Sequence, residues 1–266
     1  MKISVNCPSY RRPNVKTLDY LPFCKVWVDE VEYQDYIEAN KGFETNIISV
    51  PSGIQGNLCR IRNYILDTEF KAGNDVVVIV DDDLKGVYMW CGTDAIPYSK
   101  NIKITADRFL EMIAVFSQMC DDFGFKMWGV NPNGHNKMAY MPYTPFGTAS
   151  YIGGPFQAFL KNPLRYDERL PLKEDYDMSL QHCNKYRGNF RVNFLYYEAE
   201  QSVQAGGCAS YRNRQKEQQQ LDMLIRKWGS DIVKIDKSKN PNSAVGFAEK
   251  KYEDYNPIIK IPIKGV

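Results

Sequence analysis

Short apolar runs separated by longer amphipathic stretches occupy most of this 266-residue chain. The most apolar run is Val76–Val80, which follows Gly73-Asn74 and is itself followed by Asp81-Asp82-Asp83. Five consecutive β-branched residues predict a strand that is buried on both faces and lies in the middle of a parallel sheet. Further short apolar runs predict strands at 2–6, 25–28, 47–50, 127–130, 151–159 and 193–197.

Apolar residues at helical spacing predict four helices. The first begins near Leu58 and ends at Gly73, the second is capped by Thr105 and ends near Gly124, the third begins at Glu174 and is capped by Gly188, and the fourth covers Gln215–Trp228. Elements of this size fit one α/β domain. From Asp236 the composition shifts to Lys, Asn, Pro and Tyr. This shift predicts a domain over 1–235 and an extension over 236–266 that wraps it; a solvated tail is the alternative.

Three carboxylates follow the most apolar strand. Open α/β sheets bind their ligands at the carboxyl ends of strands. Strand alternation places Asp81 and Asp83 on one side and Asp82 on the other. Because three carboxylates in a dry crevice repel one another, they predict a hard divalent cation such as Mg²⁺ or Mn²⁺. Taken alone, an acidic turn that ends a strand is the better interpretation.

Two basic segments are candidates for binding a nucleotide. The loop Pro8–Pro13 follows the first strand and includes Ser9, Tyr10 and two arginines, which suits a base and its phosphates; a solvated basic turn explains it equally well. Three polar residues, Arg60, Arg62 and Asn63, lie in the first turns of a helix, off its apolar face. Helix amino termini attract anions, so a diphosphate fits there. An exposed amphipathic helix would carry more acid in that turn.

A second acidic cluster, Glu174, Asp175 and Asp177, opens a helix. A carboxylate at Asp175 is favoured by the helix dipole and suits a general base that accepts a proton from a hydroxyl. An ordinary acidic first turn is the alternative. Upstream, Gly153-Gly154 interrupts a strand pattern, which indicates either close approach of a ligand to the backbone or a simple bulge.

Composition narrows the possible partners and compartments. The formal net charge is +2, so no overall basic field indicates nucleic-acid binding, although local patches stay possible. Seven scattered cysteines without a CxxC motif predict neither a disulfide framework nor a zinc site, and favour the cytoplasm. The first apolar run is too short for a signal peptide, and no run approaches membrane-spanning length, so no membrane partner is expected.

The order of these segments is more specific than any one of them. Pro-x-Tyr-Arg-Arg-Pro, Gly-x-x-x-Arg-x-Arg-Asn, Asp81-Asp82-Asp83, Gly153-Gly154 and Lys173-Glu174-Asp175 occur in a sequence that resembles the GT-A glycosyltransferases. The resemblance implies a single GT-A (Rossmann-like) nucleotide-sugar-binding domain with a mostly parallel central sheet flanked by helices. Within that superfamily the chain looks most like the phage-encoded TET-associated glycosyltransferases, on the Arg-x-Arg-Asn helix and the Gln-Ala-Gly-Gly segment that precedes a helix ending in Trp-Gly.

The resemblance also implies a role for each matching residue. Asp81 would face the ribose or the metal, and Asp83 would bind Mn²⁺ or Mg²⁺ directly. Asp175 would be the catalytic base, Glu174 would contact the acceptor or the donor sugar, and Asp177 is the second candidate base. The nucleotide-sugar would be contacted by Ser9, Tyr10, Arg11, Arg60, Arg62, Asn63, Asp81, Asp82, Gly153 and Gly154.

The implied activity is metal-dependent transfer of a sugar from a UDP-linked donor to a hydroxyl acceptor. The phage group implies 5-hydroxymethylpyrimidine in DNA as that acceptor, and the host cytoplasm as the location. Tyrosines in 131–150 would then stack on a base, and Arg187, Arg191, Arg212 and Arg214 would meet phosphates. The alternatives are a saccharide or protein acceptor, a nucleotidyltransferase, and a non-catalytic binding module.

One departure from the GT-A pattern concerns the metal. Many members supply a late histidine ligand, whereas this chain contains only His135 and His182, neither suitably placed. Gln201 or Gln204 lies about where that ligand is expected, so the metal would be weakly held or dispensable.

Overall fold

The computed structural model describes residues 1–91, 100–132, 144–200, 207–235 and 255–261. The helices are α1 (Thr17–Tyr20), α2 (Tyr33–Ala39), α3 (Leu58–Lys71), α4 (Ala106–Asp122), α5 (Glu174–Tyr186) and α6 (Arg214–Trp228). The strands are β1 (Ile3–Pro8), β2 (Lys25–Asp29), β3 (Ile47–Val50), β4 (Val76–Val80), β5 (Leu84–Cys91), β6 (Lys100–Lys103), β7 (Met127–Asn131), β8 (Phe146–Gly147), β9 (Phe156–Leu160), β10 (Phe190–Ala199), β11 (Val233–Lys234) and β12 (Ile258–Ile259).

One large sheet organises the described residues, in the order β3-β2-β1-β4-β9-β7-β10-β5-β6, with β8 paired to β10. Strands β5, β8 and β9 run opposite to the others. The predicted α/β architecture, with a mostly parallel central sheet flanked by helices, is confirmed. One detail is wrong: β4 is parallel to β1 but antiparallel to β9. A continuous apolar run indicates burial on both faces and says nothing about the direction of its neighbours.

Hydrophobic cores cover the two faces of β4. Val76, Val78 and Val80 belong to a core that includes residues of α1, α2 and α4. Val77 and Ile79 belong to a second core formed with α3 and α5. Every side chain of β4 is therefore buried, as predicted, and its carboxyl end is held rigidly at the edge of the sheet.

Three local predictions differ from the structure. The strand predicted over 151–159 begins only at Phe156, because the Gly153-Gly154-Pro155 segment runs irregularly along the edge of the sheet. Helix α5 ends at Tyr186, and its C-cap is Arg187 in the left-handed conformation, not Gly188 as predicted. Gly188 is instead needed for packing, since a Cβ there would lie 2.4 Å from the Phe125 ring. Thr105 occupies the N-cap position of α4 as predicted, but its side chain caps no helix amide.

The carboxyl-terminal residues 255–261 pack against α6. Strand β12 pairs antiparallel with β11, and Tyr255 is buried with Leu221 and Leu224. The domain boundary after residue 235 stays a prediction. All seven cysteines are free thiols. Within the described ranges, every helix is too short or too polar to span a bilayer.

Candidate active site

A cleft of about 320 Å³ opens at the carboxyl ends of β1 and β4. One wall is the loop after β1, which contributes Ser9, Tyr10 and Arg12. The floor is the acidic segment after β4, and the opposite wall is formed by the 151–155 segment and the first turn of α5. Residues 207–212 and Asn256 close the remaining side. The two predicted acidic clusters therefore line one cleft, although they are far apart in the sequence.

Arg62 links the two clusters directly. Its Nη2 donates to Asp81 Oδ1 at 3.0 Å, and its Nη1 donates to Glu174 Oε1 at 3.3 Å. Nη2 also donates to the carbonyl of Gly154 at 3.1 Å. The Arg62 side chain is 1% exposed, so one buried guanidinium neutralises a carboxylate from each cluster. The absence of a Cβ at Gly154 leaves space for this contact, because such an atom would lie 3.4 Å from both Arg62 and Glu174.

Asp82 anchors the loop after β1. Its Oδ1 accepts a hydrogen bond from Arg12 Nη1 at 2.9 Å, and its Oδ2 accepts one from Ser9 Oγ at 2.6 Å. Both oxygens are therefore used by the protein, and Asp82 positions Arg12 and Ser9 at the cleft wall. Arg11, which the sequence analysis selected, has φ of 57° and a side chain that is 61% exposed beside Glu32. The left-handed turn at Arg11 directs it to solvent, and Arg12 faces the cleft instead.

Of the three carboxylates after β4, Asp83 is the one whose negative charge is least compensated by a nearby positive charge. Its distance to Arg12 Nη1 is 4.0 Å, and its side chain is 9% exposed. Burial, followed by the carboxylates of Asp81 and Asp82, raises the pKa of Asp83 to about 7, against the opposing effect of Arg12. A cation placed between Asp83 and Asp81 would relieve this repulsion.

The side chains of this cleft could hold a divalent cation only if further ligands came from outside the protein. Among the described residues, no group of three His, Cys, Asp or Glu side chains is arranged to hold a metal. Asp81 and Asp83 would supply two carboxylates, and the remaining ligands would have to be phosphate oxygens and water, as is usual for Mg²⁺. The candidate ligands Gln201 and Gln204, and His135, lie outside the described residues. His182 is fully buried against Phe159 and Tyr186 and does not line the cleft.

Asp175 is held in one orientation at the cleft wall by three donors. Its Oδ2 accepts hydrogen bonds from the Tyr151 hydroxyl and from the backbone N–H of Gly154 at 3.2 Å. Its Oδ1 accepts one from the backbone N–H of Tyr176 at 2.8 Å. The Tyr151 ring stacks on Tyr176 with centroids 4.3 Å apart, which fixes the donor as well. A carboxylate that is oriented in this way and lines a cleft is suited to receive a proton.

Glu174 is buried next to Asp175. Burial, followed by the Asp175 carboxylate, raises the pKa of Glu174 to about 8, and Arg62 opposes the rise. Near neutral pH this side chain is thus partly protonated, and it can donate a hydrogen bond as well as accept one.

Four of the other predicted site residues have structural roles outside the cleft. Asp177 is fully buried and accepts hydrogen bonds from Trp228 Nε1 at 2.7 Å and from Lys227 Nζ at 2.9 Å, so it ties α6 to α5 and does not line the cleft. Arg60 pairs with Glu168 at 3.2 Å. Asn63 exchanges hydrogen bonds with the backbone of Tyr166. Gly153 makes room for a side chain, since a Cβ there would lie 2.7 Å from the Tyr197 hydroxyl.

The sequence analysis missed several residues that line the cleft, namely Arg12, Gln55, Asn57, Tyr151, Tyr197, Cys208, Tyr211 and Asn256. It placed Arg212 against DNA phosphates, whereas Arg212 lines the cleft and pairs with Glu217 at 3.0 Å. Glu217 is itself bonded to the buried Lys173. The sequence did indicate that Arg12 could lie at the site, because it adjoins Arg11 in the same motif. The tyrosines had none, because contacts across the sheet decide their positions.

The buried acids predict how stability depends on pH. The pKa values of Asp83 and Glu174 are about 7 and about 8 in the folded protein, above their ordinary values of 3.8 and 4.5. The folded state therefore binds more protons than the unfolded state between about pH 4 and 8, and stability falls as pH rises through this window, by up to about 1.4 kcal/mol per pH unit for each group. Urea unfolding in EDTA at pH 5, 6, 7 and 8 measures the decline. We expect Glu174→Gln to flatten it, and Glu168→Gln, an exposed control, to leave it unchanged; parallel curves for wild type and Glu174→Gln would contradict this expectation.

No protein-family model matches the sequence, and no curated protein matches it. Among solved structures, S. aureus TarS 1–349 has a TM-score of 0.43 and 15% identity, over 90% of this chain and 76% of that one. CMP:2-keto-3-deoxy-manno-octonic acid synthetase complexed with CTP has a TM-score of 0.38 and 11% identity, over 85% and 99%. A197 from STIV has a TM-score of 0.37 and 11% identity, over 75% and 85%. Scores of this size assign neither a family nor an activity to this chain.

Proposed function

We propose that this protein is a metal-dependent glycosyltransferase that moves a sugar from a UDP-linked donor to a hydroxyl acceptor. The observation that carries the proposal is the convergence of Asp81 and Asp83 with Glu174 and Asp175 on one cleft, joined by Arg62. Such a transfer needs a cationic end for the departing diphosphate and a carboxylate at the other end for the acceptor proton. A non-catalytic module would have no need for both clusters.

The donor end of the cleft is formed by Asp81, Asp83 and Arg12. Arg12 is positioned by Asp82 and brings a positive charge to the cleft beside two carboxylates. Tyr10 lines the same wall, where its ring can contact a base. Bound by Asp81 and Asp83, Mn²⁺ or Mg²⁺ would supply positive charge to the diphosphate as it leaves. Residues 55–58, at the amino end of α3, also line the cleft, where the positive end of the helix dipole would favour a diphosphate.

The acceptor end is formed by Asp175 and Glu174. The acceptor oxygen bonds to the anomeric carbon as the bond from that carbon to the diphosphate breaks, and the acceptor proton passes to Asp175. Tyr151 and the Gly154 amide keep the receiving oxygen in place. Arg62 holds Glu174 beside Asp175, so that the Glu174 side chain does not rotate into the position of the base.

The acceptor itself stays a sequence-based prediction. Of the arginines assigned to DNA phosphates, Arg191 donates to Asn193 and to the Tyr151 carbonyl, and Arg214 donates to Tyr255. Because these two arginines already donate to groups of the protein, they have fewer N–H groups left to donate to DNA phosphates. Both tyrosines of the 131–150 segment, Tyr140 and Tyr143, lie outside the described residues. DNA with 5-hydroxymethylpyrimidine is therefore one acceptor to test, beside a saccharide or protein.

Calorimetry with UDP-glucose, UDP-galactose and UDP-N-acetylglucosamine, each with Mn²⁺ and then with EDTA, tests the donor. We expect one of these donors to bind more tightly with Mn²⁺, and Asp83→Asn to remove most of the gain, while Glu168→Gln keeps it. Incubation with hydroxymethylated DNA, plain DNA or an oligosaccharide, followed by mass spectrometry, identifies the acceptor. Release of UDP supports glycosyl transfer; release of pyrophosphate from a nucleoside triphosphate would instead identify a nucleotidyltransferase. Absence of binding by every nucleotide-sugar removes the proposal.

A further inference from the structure

Tyr197 is a mostly buried residue that presents its hydroxyl to the open space of the cleft. The residue lies in β10, is 6% exposed and lines the cleft. Among the described residues, no group forms a hydrogen bond with its hydroxyl, whereas the nearby Tyr151 hydroxyl is bonded to Asp175. A hydroxyl that lines a cleft and is not engaged by the described protein groups can donate to, and accept from, a ligand that enters the cleft.

The phenol is held between the two ends of the cleft. Burial, followed by the carboxylates of Asp81, Asp175 and Asp83, raises the pKa of Tyr197, so the phenol stays protonated. The backbone makes room for it, because a Cβ at Gly153 would lie 2.7 Å from the Tyr197 oxygen. Gly153, the first residue of the double glycine, thus leaves space for this hydroxyl.

We infer that the Tyr197 hydroxyl binds a hydroxyl group of the sugar that is transferred, and so selects a polyhydroxylated donor. The inference rests on the proposed function, which places the diphosphate beside Asp81 and Asp83 and the acceptor beside Asp175. The transferred sugar must then lie between them, at Tyr197. In that arrangement the nucleotide would lie beyond the diphosphate from Tyr197, so Tyr197 would discriminate between a nucleotide-sugar and the nucleotide alone.

The main test compares binding of two ligands by wild type and Tyr197→Phe. The probes are whichever of the three UDP-sugars wild type binds most tightly, and UDP, both with Mn²⁺. A lost hydrogen bond is expected to weaken binding of the UDP-sugar by about 2- to 12-fold. Binding of UDP is expected to stay within about twofold, because UDP does not reach the phenol. Equal weakening of both ligands would show a structural role for Tyr197, and unchanged binding of both would show no role; either result overturns the inference.

A second variant moves the hydroxyl without removing it. In Gly153→Ala the new Cβ forces the Tyr197 oxygen to shift. In the Gly153→Ala/Tyr197→Phe double variant this contact is removed, since the Tyr197 ring carbon would lie at 3.6 Å, and the remaining contact with Pro132 Cβ at 3.2 Å requires a shift of only a few tenths of an ångström. We expect both proteins to show the weakened UDP-sugar binding of Tyr197→Phe, with no further loss in the double variant.

Monodeoxy analogues of the same UDP-sugar identify the sugar hydroxyl. One analogue should bind wild type and Tyr197→Phe equally, because each change removes the same hydrogen bond. If every deoxy loss adds fully to the Tyr197→Phe loss, the inference is wrong even though the donor binds. Failure of wild type to bind any UDP-sugar would instead refute the proposed function, and this inference with it.

Discussion

Asp175→Asn is expected to lower turnover by about 10²- to 10⁴-fold, the usual contribution of a general base. The amide that replaces the carboxylate keeps nearly the same shape but cannot accept the acceptor proton. One of its atoms still faces the donors Tyr151 and Gly154, so α5 should begin as in wild type. Binding of the UDP-sugar is expected to survive, because the donor end of the cleft is formed by Asp81, Asp83 and Arg12.

This prediction is measured by initial rates of UDP release and by calorimetric donor affinity on the same preparations. Asp177→Asn provides the contrast within one helix turn. Its carboxylate is fully buried and bonded to Trp228 and Lys227, so the substitution should lower the free energy of unfolding and leave turnover of the folded protein nearly unchanged. Turnover near the wild-type rate in Asp175→Asn would remove the base assignment.

The sequence predicted the framework of this site well. The apolar run of β4 indicated a doubly buried strand, and the carboxylates after it were predicted to lie at a ligand-binding edge, where the cleft is found. Helix α5 was predicted to begin at the second acidic cluster, and it does. These features depend on local periodicity and on the position of charges at the ends of elements, both of which can be seen in a linear sequence.

Side-chain partnerships could not be predicted in the same way. Arg11 and Arg12 are equivalent in the sequence, and only the left-handed backbone at Arg11 decides which of them reaches Asp82. Asp175 and Asp177 both lie in the first turns of α5, yet the second is directed towards α6, which follows much later in the chain. Such choices depend on contacts between distant segments, and a single sequence does not record them.

Arg62 shows how these partnerships change an interpretation. Its place in the first turns of α3 indicated a contact with the nucleotide, and the structure instead shows it buried between Asp81 and Glu174. The ends proposed to bind a metal and to accept a proton therefore share one counter-ion. Any ligand that draws Asp81 away from Arg62, as a cation would, leaves more of the guanidinium charge to Glu174 and lowers the pKa of that acid.

Arg62→Met is expected to lower the free energy of unfolding by about 3 to 5 kcal/mol, because it leaves the buried Glu174 and the half-buried Asp81 without their shared counter-ion. Arg60→Met is a matched control two residues away in the sequence: its partner Glu168 is 47% exposed, and loss of such a surface pair should cost under about 1 kcal/mol. Arg62→Lys should recover only part of the loss, since a single ammonium lacks the planar fork that reaches Asp81 and Glu174 together.

The pH dependence of the Arg62→Met effect separates lost charge from lost packing. Without Arg62 the pKa of Glu174 rises further above about 8, so Glu174 stays protonated in the folded state over a wider pH range. The destabilisation should then be smaller at pH 5, where Glu174 is neutral in the folded state of both proteins, than at pH 8. Adding Glu174→Gln should remove this difference between the two pH values. Urea unfolding of the three proteins at both pH values measures it, and a loss that is equal at pH 5 and pH 8 would mean that Arg62 stabilises the cleft by filling space and not by its charge.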